Sequence, residues 1–132
     1  SVLDRLETIL FYKASLSSNN HKKRFTMETT QQQIIDKITH AIQNKKTIEI
    51  EYKKPNEEST LRVINPHNLF ENYKGTILVD SVELDNEKGQ VWKMFDITKI
   101  KIVISTAWKF IPDSRYNATS SRYNLSRVAI EI

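Results

Sequence analysis

Lys93-Met94-Phe95-Asp96-Ile97-Thr98-Lys99-Ile100-Lys101-Ile102-Val103-Ile104 is the stretch on which the fold turns. Its early apolar residues, Phe95 and Ile97, are odd-numbered, whereas Ile100, Ile102 and Ile104 are even-numbered. Side chains alternate faces along a strand, so the inward face slips by one residue near Thr98-Lys99. A bulge, a bend or a single helical turn must fall there. Small barrels curl their strands at such points, and a flat open sheet needs none.

Working outward, other segments share the two-residue period. Ile48, Ile50 and Tyr52 alternate with Thr47, Glu49, Glu51 and Lys53, which predicts a strand with one wet face and both glutamates pointing outward. Pro55 to Glu58 reads as a hairpin loop, and Leu61 to Ile64 as a returning strand that stops at Asn65-Pro66, where proline removes a ladder donor. Leu69-Phe70 resumes pairing beyond it. Asn72 to Gly75 is a turn into a strand over Thr76 to Leu84, and Val128, Ile130 and Ile132 alternate as a candidate last strand.

Before these strands the period is helical. Thr30 and Gln33 are spaced as a capping box, and Ile34, Ile35, Ile38, Ala41 and Ile42 form one apolar stripe. Further upstream Val2, Leu3, Leu6, Ile9 and Leu10 suggest a short amphipathic helix, followed by a polar, basic linker from Ser15 to Arg24. The fold class expected is α+β: N-terminal helices, then a strongly bent antiparallel five-stranded small β-barrel, with a C-terminal tail able to add a short strand. The expected divisions are 1–33 (helix and basic linker), 34–112 (barrel) and 113–132 (tail rich in arginine and tyrosine).

At 132 residues the chain suits one core, and no run approaches the ~20 apolar residues of a membrane span. With no N-terminal signal pattern, a cytoplasmic location is expected. The absence of cysteine excludes disulfides and cysteine nucleophiles. A net charge of +4 is spread thinly, with only +1 in residues 34–112, so any nucleic-acid contact must rest on local patches.

The order helix, strand, Arg62 with Pro66 and then Leu69, a glycine turn, an apolar strand, and Lys93, Phe95 and Lys99-Ile100 resembles the WYL domain family over residues 34–112. The family's Trp-Tyr-Leu signature corresponds to Thr76, Ile77 and Leu78, so the Trp and Tyr are replaced. Lysine also stands at both closing basic positions, and it lacks the planar fork that arginine offers a phosphate. The resemblance implies an Sm-like small barrel that senses nucleotides or single-stranded nucleic acid, usually attached to a DNA-reading domain. Residues 1–33 hold one convincing helix, too few for such a reader.

Several residues have the chemistry for such a ligand. Arg62, Lys93 and Lys99 come from separate strands, and barrel closure would converge them on one rim suited to phosphate. His67 could stack or donate, and Tyr73, in the glycine turn, offers a ring to a base. The tail repeats Ser-Arg-Tyr-Asn at 114–117 and 121–124, so Arg115, Tyr116, Arg122 and Tyr123 combine charge with rings as single-strand binders do. Docking of this tail onto its own barrel or a neighbour's fits the pattern equally. Trp92, Trp108 and Phe110 read as core.

Histidines at 21, 40 and 67 lack metal-ligand spacing, and the two glycines make no phosphate loop. No enzyme, metal or cofactor is therefore expected. The functional expectation is a ligand-sensing regulatory module binding a nucleotide or single-stranded nucleic acid on a basic rim, with a protein partner or homo-oligomer and no membrane. The alternative is a structural or assembly protein of phage or mobile-element type, using its termini to complete a neighbour's sheet.

Overall fold

The structure is a computed structural model that describes residues 30–85 and 87–132. The expected N-terminal helix and basic linker lie outside the described residues. Among the described residues one α-helix, α1 (Gln31–Asn44), is followed by β1 (Lys46–Tyr52), β2 (Thr60–Glu71), β3 (Ile77–Asp85), β4 (Gly89–Asp96), β5 (Ile100–Lys109) and β6 (Ser126–Ala129).

The helix starts where its cap dictates. Thr30 Oγ1 accepts from the Gln33 N–H at 3.1 Å, and Gln33 Oε1 accepts from the Thr30 N–H at 2.8 Å, a reciprocal capping box. It ends at Lys45, whose φ of 52° leaves the helical region and turns the chain directly into β1. The stripe Ile34, Ile35, Ile38, Ala41 and Ile42 is buried across β1, β2, β5 and β6. Each fully buried isoleucine contributes about 1.5–3 kcal/mol through apolar burial.

All strand pairs are antiparallel, in the order β4-β3-β2-β1-β5, with β6 on β2. The slip near Thr98 is a single 3-10 turn, Ile97–Lys99, capped by Asp96 Oδ1 on the Thr98 N–H at 2.9 Å. It lets β5 leave β4 and cross to β1. The expected closure is not formed, since among the described residues no ladder joins β4 to β5, and the sixth strand is the short one that the tail was expected to be able to add. The turn redirects the chain around the helix-covered core without sealing the sheet.

Two further expectations are corrected. The second strand does not stop at Asn65-Pro66. β2 runs through it, because the register shifts between Pro66↔Ser81 and Asn68↔Asp80, leaving His67 as the extra residue of a bulge. Beyond that bulge β2 exchanges neighbours on one edge: β1 pairs as far as Ile64, and β6 pairs from Asn68 to Phe70. Nor is β1 wet on one face. Glu49 is 1% exposed and Glu51 8%, because β1 lies between β2 and β5 and is covered on both faces.

The tail's strand pairs with β2 of the same chain, and Tyr116, Tyr123 and Ile130 belong to the main apolar cluster. Trp92 and Phe110 pack against that cluster, whereas Trp108 is 41% exposed.

Truncating the fully buried Ile38 to alanine is expected to cost about 3 kcal/mol, and Thr30→Ala about 1 kcal/mol. Urea unfolding of both variants measures the difference.

Candidate functional site

The bulge aims His67 into the protein, where it is 1% exposed. Its Nδ1 lies 2.8 Å from the Asn65 carbonyl, and its Nε2 accepts the Asp113 N–H at 2.9 Å. Those partners require a proton on Nδ1 and none on Nε2, so the ring is neutral. Burial pushes its pKa below 6.5, against the raising influence of the Asn65 carbonyl and of Asp113. Trp92 and Phe110, with ring centroids 5.2 Å away, and Tyr116 at 5.6 Å enclose it. The sequence offered His67 as a ligand contact, but the structure gives both ring nitrogens to the backbone.

The tail then crosses the face of β2 and β3 that carries Asn68 and Asp80. Cross-strand partners share a face, so Asn68 and Asp80 stand together beneath it. Asn68 Nδ2 donates to Tyr116 Oη at 2.9 Å, and Ser126 Oγ donates to Asn68 Oδ1 at 2.9 Å. Asp80, fully buried, accepts from Tyr123 Oη at 2.5 Å and from Arg122 Nη1 at 3.1 Å, both on Oδ2. Burial first, then Asp80, push the Tyr123 phenol well above its usual range. The two tyrosines of the repeat, expected to stack on bases, are thus 7% and 8% exposed and serve as anchors of the tail.

The two arginines stay at the surface. Arg115 grips Asp113 with Nε and Nη2, each at 2.8 Å, and also reaches the Gln90 carbonyl at 3.3 Å. This fork holds the Asp113 carboxyl at about 2, below the usual 3.8. Arg115, Arg122 and Trp92, with Asn117, Ser120 and Tyr123, line a polar cavity of about 220 Å³. Next to it, a groove of about 580 Å³ is lined mainly by Phe70, Tyr73, Leu78, Met94 and Leu125. Arg122 borders both.

The other expected cations are placed differently. Arg62 and Lys93 do meet, but on Glu83, at 3.2 and 3.0 Å, and Arg62 is further packed over the Tyr52 and Phe95 rings. Lys99 turns to Asp96 at 3.8 Å, and no contact links it to the other two. A single rim of three open cations is therefore not assembled. Tyr73 is 90% exposed, with Lys74 Nζ 5.6 Å from its ring centroid.

Sequence reasoning assigned no ligand role to Met94, Leu125, Asn117 or Ser120 and read Trp92 as core. The signal was present in β4: Trp92 and Met94 are two apart and share the face that the tail crosses.

A helix packed on a six-stranded antiparallel sheet, with the C-terminal tail bound to β2 and β3, defines a small α+β module. The WYL domain model matches residues 33–103, more than half of the chain, and the chain belongs to that family. Among solved structures, proteasome accessory factor B/C (PafBC) of Arthrobacter aurescens is similar in fold, with a TM-score of 0.56 and 18% identity over 65% of this chain. This chain spans 13% of that protein's length. No curated protein matches the chain.

Because the folded-state pKa of His67 lies below 6.5, the unfolded chain takes up the proton first as the pH falls. The ring's contribution to stability is complete above pH 6.5 and is lost as the pH drops from there toward the folded-state pKa. Urea midpoints measured across this window should fall in the native protein and fall less steeply in His67→Gln. Tyr123→Phe should cost about 1–3 kcal/mol at neutral pH, since it strips a partner from a buried carboxylate.

Proposed function

We propose that this WYL module is a ligand-sensing regulatory domain that binds a nucleotide or a short single-stranded nucleic acid in the polar cavity at the tail. The observation that carries the reading is the meeting of both arginines of the Ser-Arg-Tyr-Asn repeat with Trp92 in the lining of one small cavity. A guanidinium fork recognises phosphate oxygens, and an aromatic face accepts a base without demanding its identity. Asn117 and Ser120 supply neutral hydrogen-bonding groups beside them.

Arg122 uses Nη1 on Asp80 and Arg115 uses one edge of its fork on Asp113, so the carboxylates fix the guanidinia in place without consuming every donor. Arg62, Lys93 and Lys99 rank second as phosphate contacts. Arg62 is 18% exposed at its side chain and shares Glu83 with Lys93. Among the three expected tyrosines, Tyr73 alone keeps an open ring, but it lines the neighbouring groove and not this cavity, so it has no part in this site.

Anisotropy titration of labelled mononucleotides and short single-stranded oligonucleotides, at about 50 and about 200 mM salt, tests the reading. Binding should weaken at the higher salt. Arg115→Gln and Arg122→Gln should each weaken it about tenfold, and Arg62→Gln by much less. Absence of binding at low salt, or binding indifferent to both tail substitutions in variants that melt normally, would reject it.

A further inference from the structure

We infer that the apolar groove beside this cavity is a second binding site, for a small organic anion with an aromatic or medium-length alkyl body. The inference rests on the reading of the chain as a ligand-sensing module, but not on its binding nucleotides.

The groove is built by the strand pattern. Phe70 and Leu78 are direct cross-strand partners, and Met94 faces Asp80, so all three side chains lie on the face that the tail crosses and form the floor. Ser121, Arg122, Asn124 and Leu125 from the tail and Asn72 and Tyr73 from the β2–β3 turn complete the lining. Its volume of about 580 Å³ falls within the ~300–1,000 Å³ of small-molecule sites.

Exposed apolar side chains concentrate here. Tyr73 at 90%, Met94 at 51% and Leu125 at 56% are half of the large apolar side chains that stand open among the described residues. Such clustering marks a surface that is covered in use.

Charge selects the occupant. Arg122 borders the groove with its side chain 46% exposed, oriented by Asp80. Glu71 also borders it, but the alternation that points Phe70 into the groove directs the Glu71 side chain to the opposite face, and its N–H is taken by the Leu125 carbonyl at 3.1 Å. An apolar groove bordered by an arginine suits a carboxylate or monophosphate head on a hydrocarbon body, and disfavours a cation.

Calorimetric titration of the full chain with 2-naphthoate, decanoate and neutral 2-naphthamide tests this. Both anions should bind, and the amide should bind about tenfold more weakly. Arg122→Gln should erase the difference between naphthoate and naphthamide, and the double variant Met94→Ser/Leu125→Ser should weaken naphthoate about tenfold. No heat from either anion, equal binding of the amide, or indifference to the double variant would overturn the inference. So would a concentration-dependent dimer, seen by light scattering, that the double variant dissolves, since a second copy would then cover the groove. The double variant should still bind mononucleotides. Naphthoate binding without nucleotide binding would sink only the earlier reading, and the converse only this one.

Discussion

Both ends of the C-terminal tail are tied to one residue. His67 Nε2 accepts the N–H of Asp113, where the tail begins, and the His67 carbonyl accepts the N–H of Ile130 at 2.8 Å, where it finishes. The tie depends on the bulge at Pro66-His67, which frees the His67 peptide from the β2–β3 ladder and turns its imidazole inward. It also depends on the ring staying neutral, because a protonated Nε2 would confront an N–H donor inside an aromatic cage. With this residue in place the tail spans Asn68 and Asp80, and both cavities form along its path.

Ion pairing then sorts the cations by role. Arg62 and Lys93 are spent on Glu83 beside the Tyr52 and Phe95 rings, where they satisfy a nearly buried carboxylate. Arg115 and Arg122 also hold carboxylates, yet their side chains are 51% and 46% exposed. At such exposure water screens the attraction, so the net stability from the Arg115 pair is small. Asp80 differs, since a fully buried carboxylate that lost its partners would be costly. The pairs orient guanidinia more than they stabilise the fold, and orientation is what an anion site needs.

How much of this was legible in the sequence follows from what a periodic pattern encodes. The capping box at Thr30 and Gln33, the stripe of α1 and the slip at Thr98 all stood in the residues, because each is set by neighbours within a turn or two of chain. Alternation also separated Ile48 and Ile50 from Glu49 and Glu51 correctly. It could not reveal what covers the second face, so two buried glutamates read as outward. The tail stayed ambiguous, with docking onto its own sheet and nucleic-acid binding fitting equally, for a related reason. Arg-Tyr pairs suit a nucleic acid and suit a sheet presenting Asn68 and Asp80 equally well, and nothing local tells a chain where its distant acceptors lie. Pro66 read as a stop because a proline removes one donor, but β2 runs on past it, with Pro66 opposite Ser81 and the bulge falling at His67 directly after.

Arg122 links the separate parts of the molecule. It borders the polar cavity and the apolar groove, and it holds the buried Asp80 together with the Tyr123 hydroxyl. A ligand engaging its guanidinium from either side therefore acts on a group already bound to the sheet. If the new bonds leave the Asp80 contact intact, binding stiffens the tail; if they draw the guanidinium away, Asp80 keeps only the phenol and the tail is weakened. In both cases ligand occupancy and tail docking share one free energy, and the coupling must run equally in both directions. The coupling does not stop at the tail, because Tyr116, Tyr123 and Ile130 belong to the same apolar cluster as the buried stripe of α1, so a change in the tail's hold is felt in the helix-covered core.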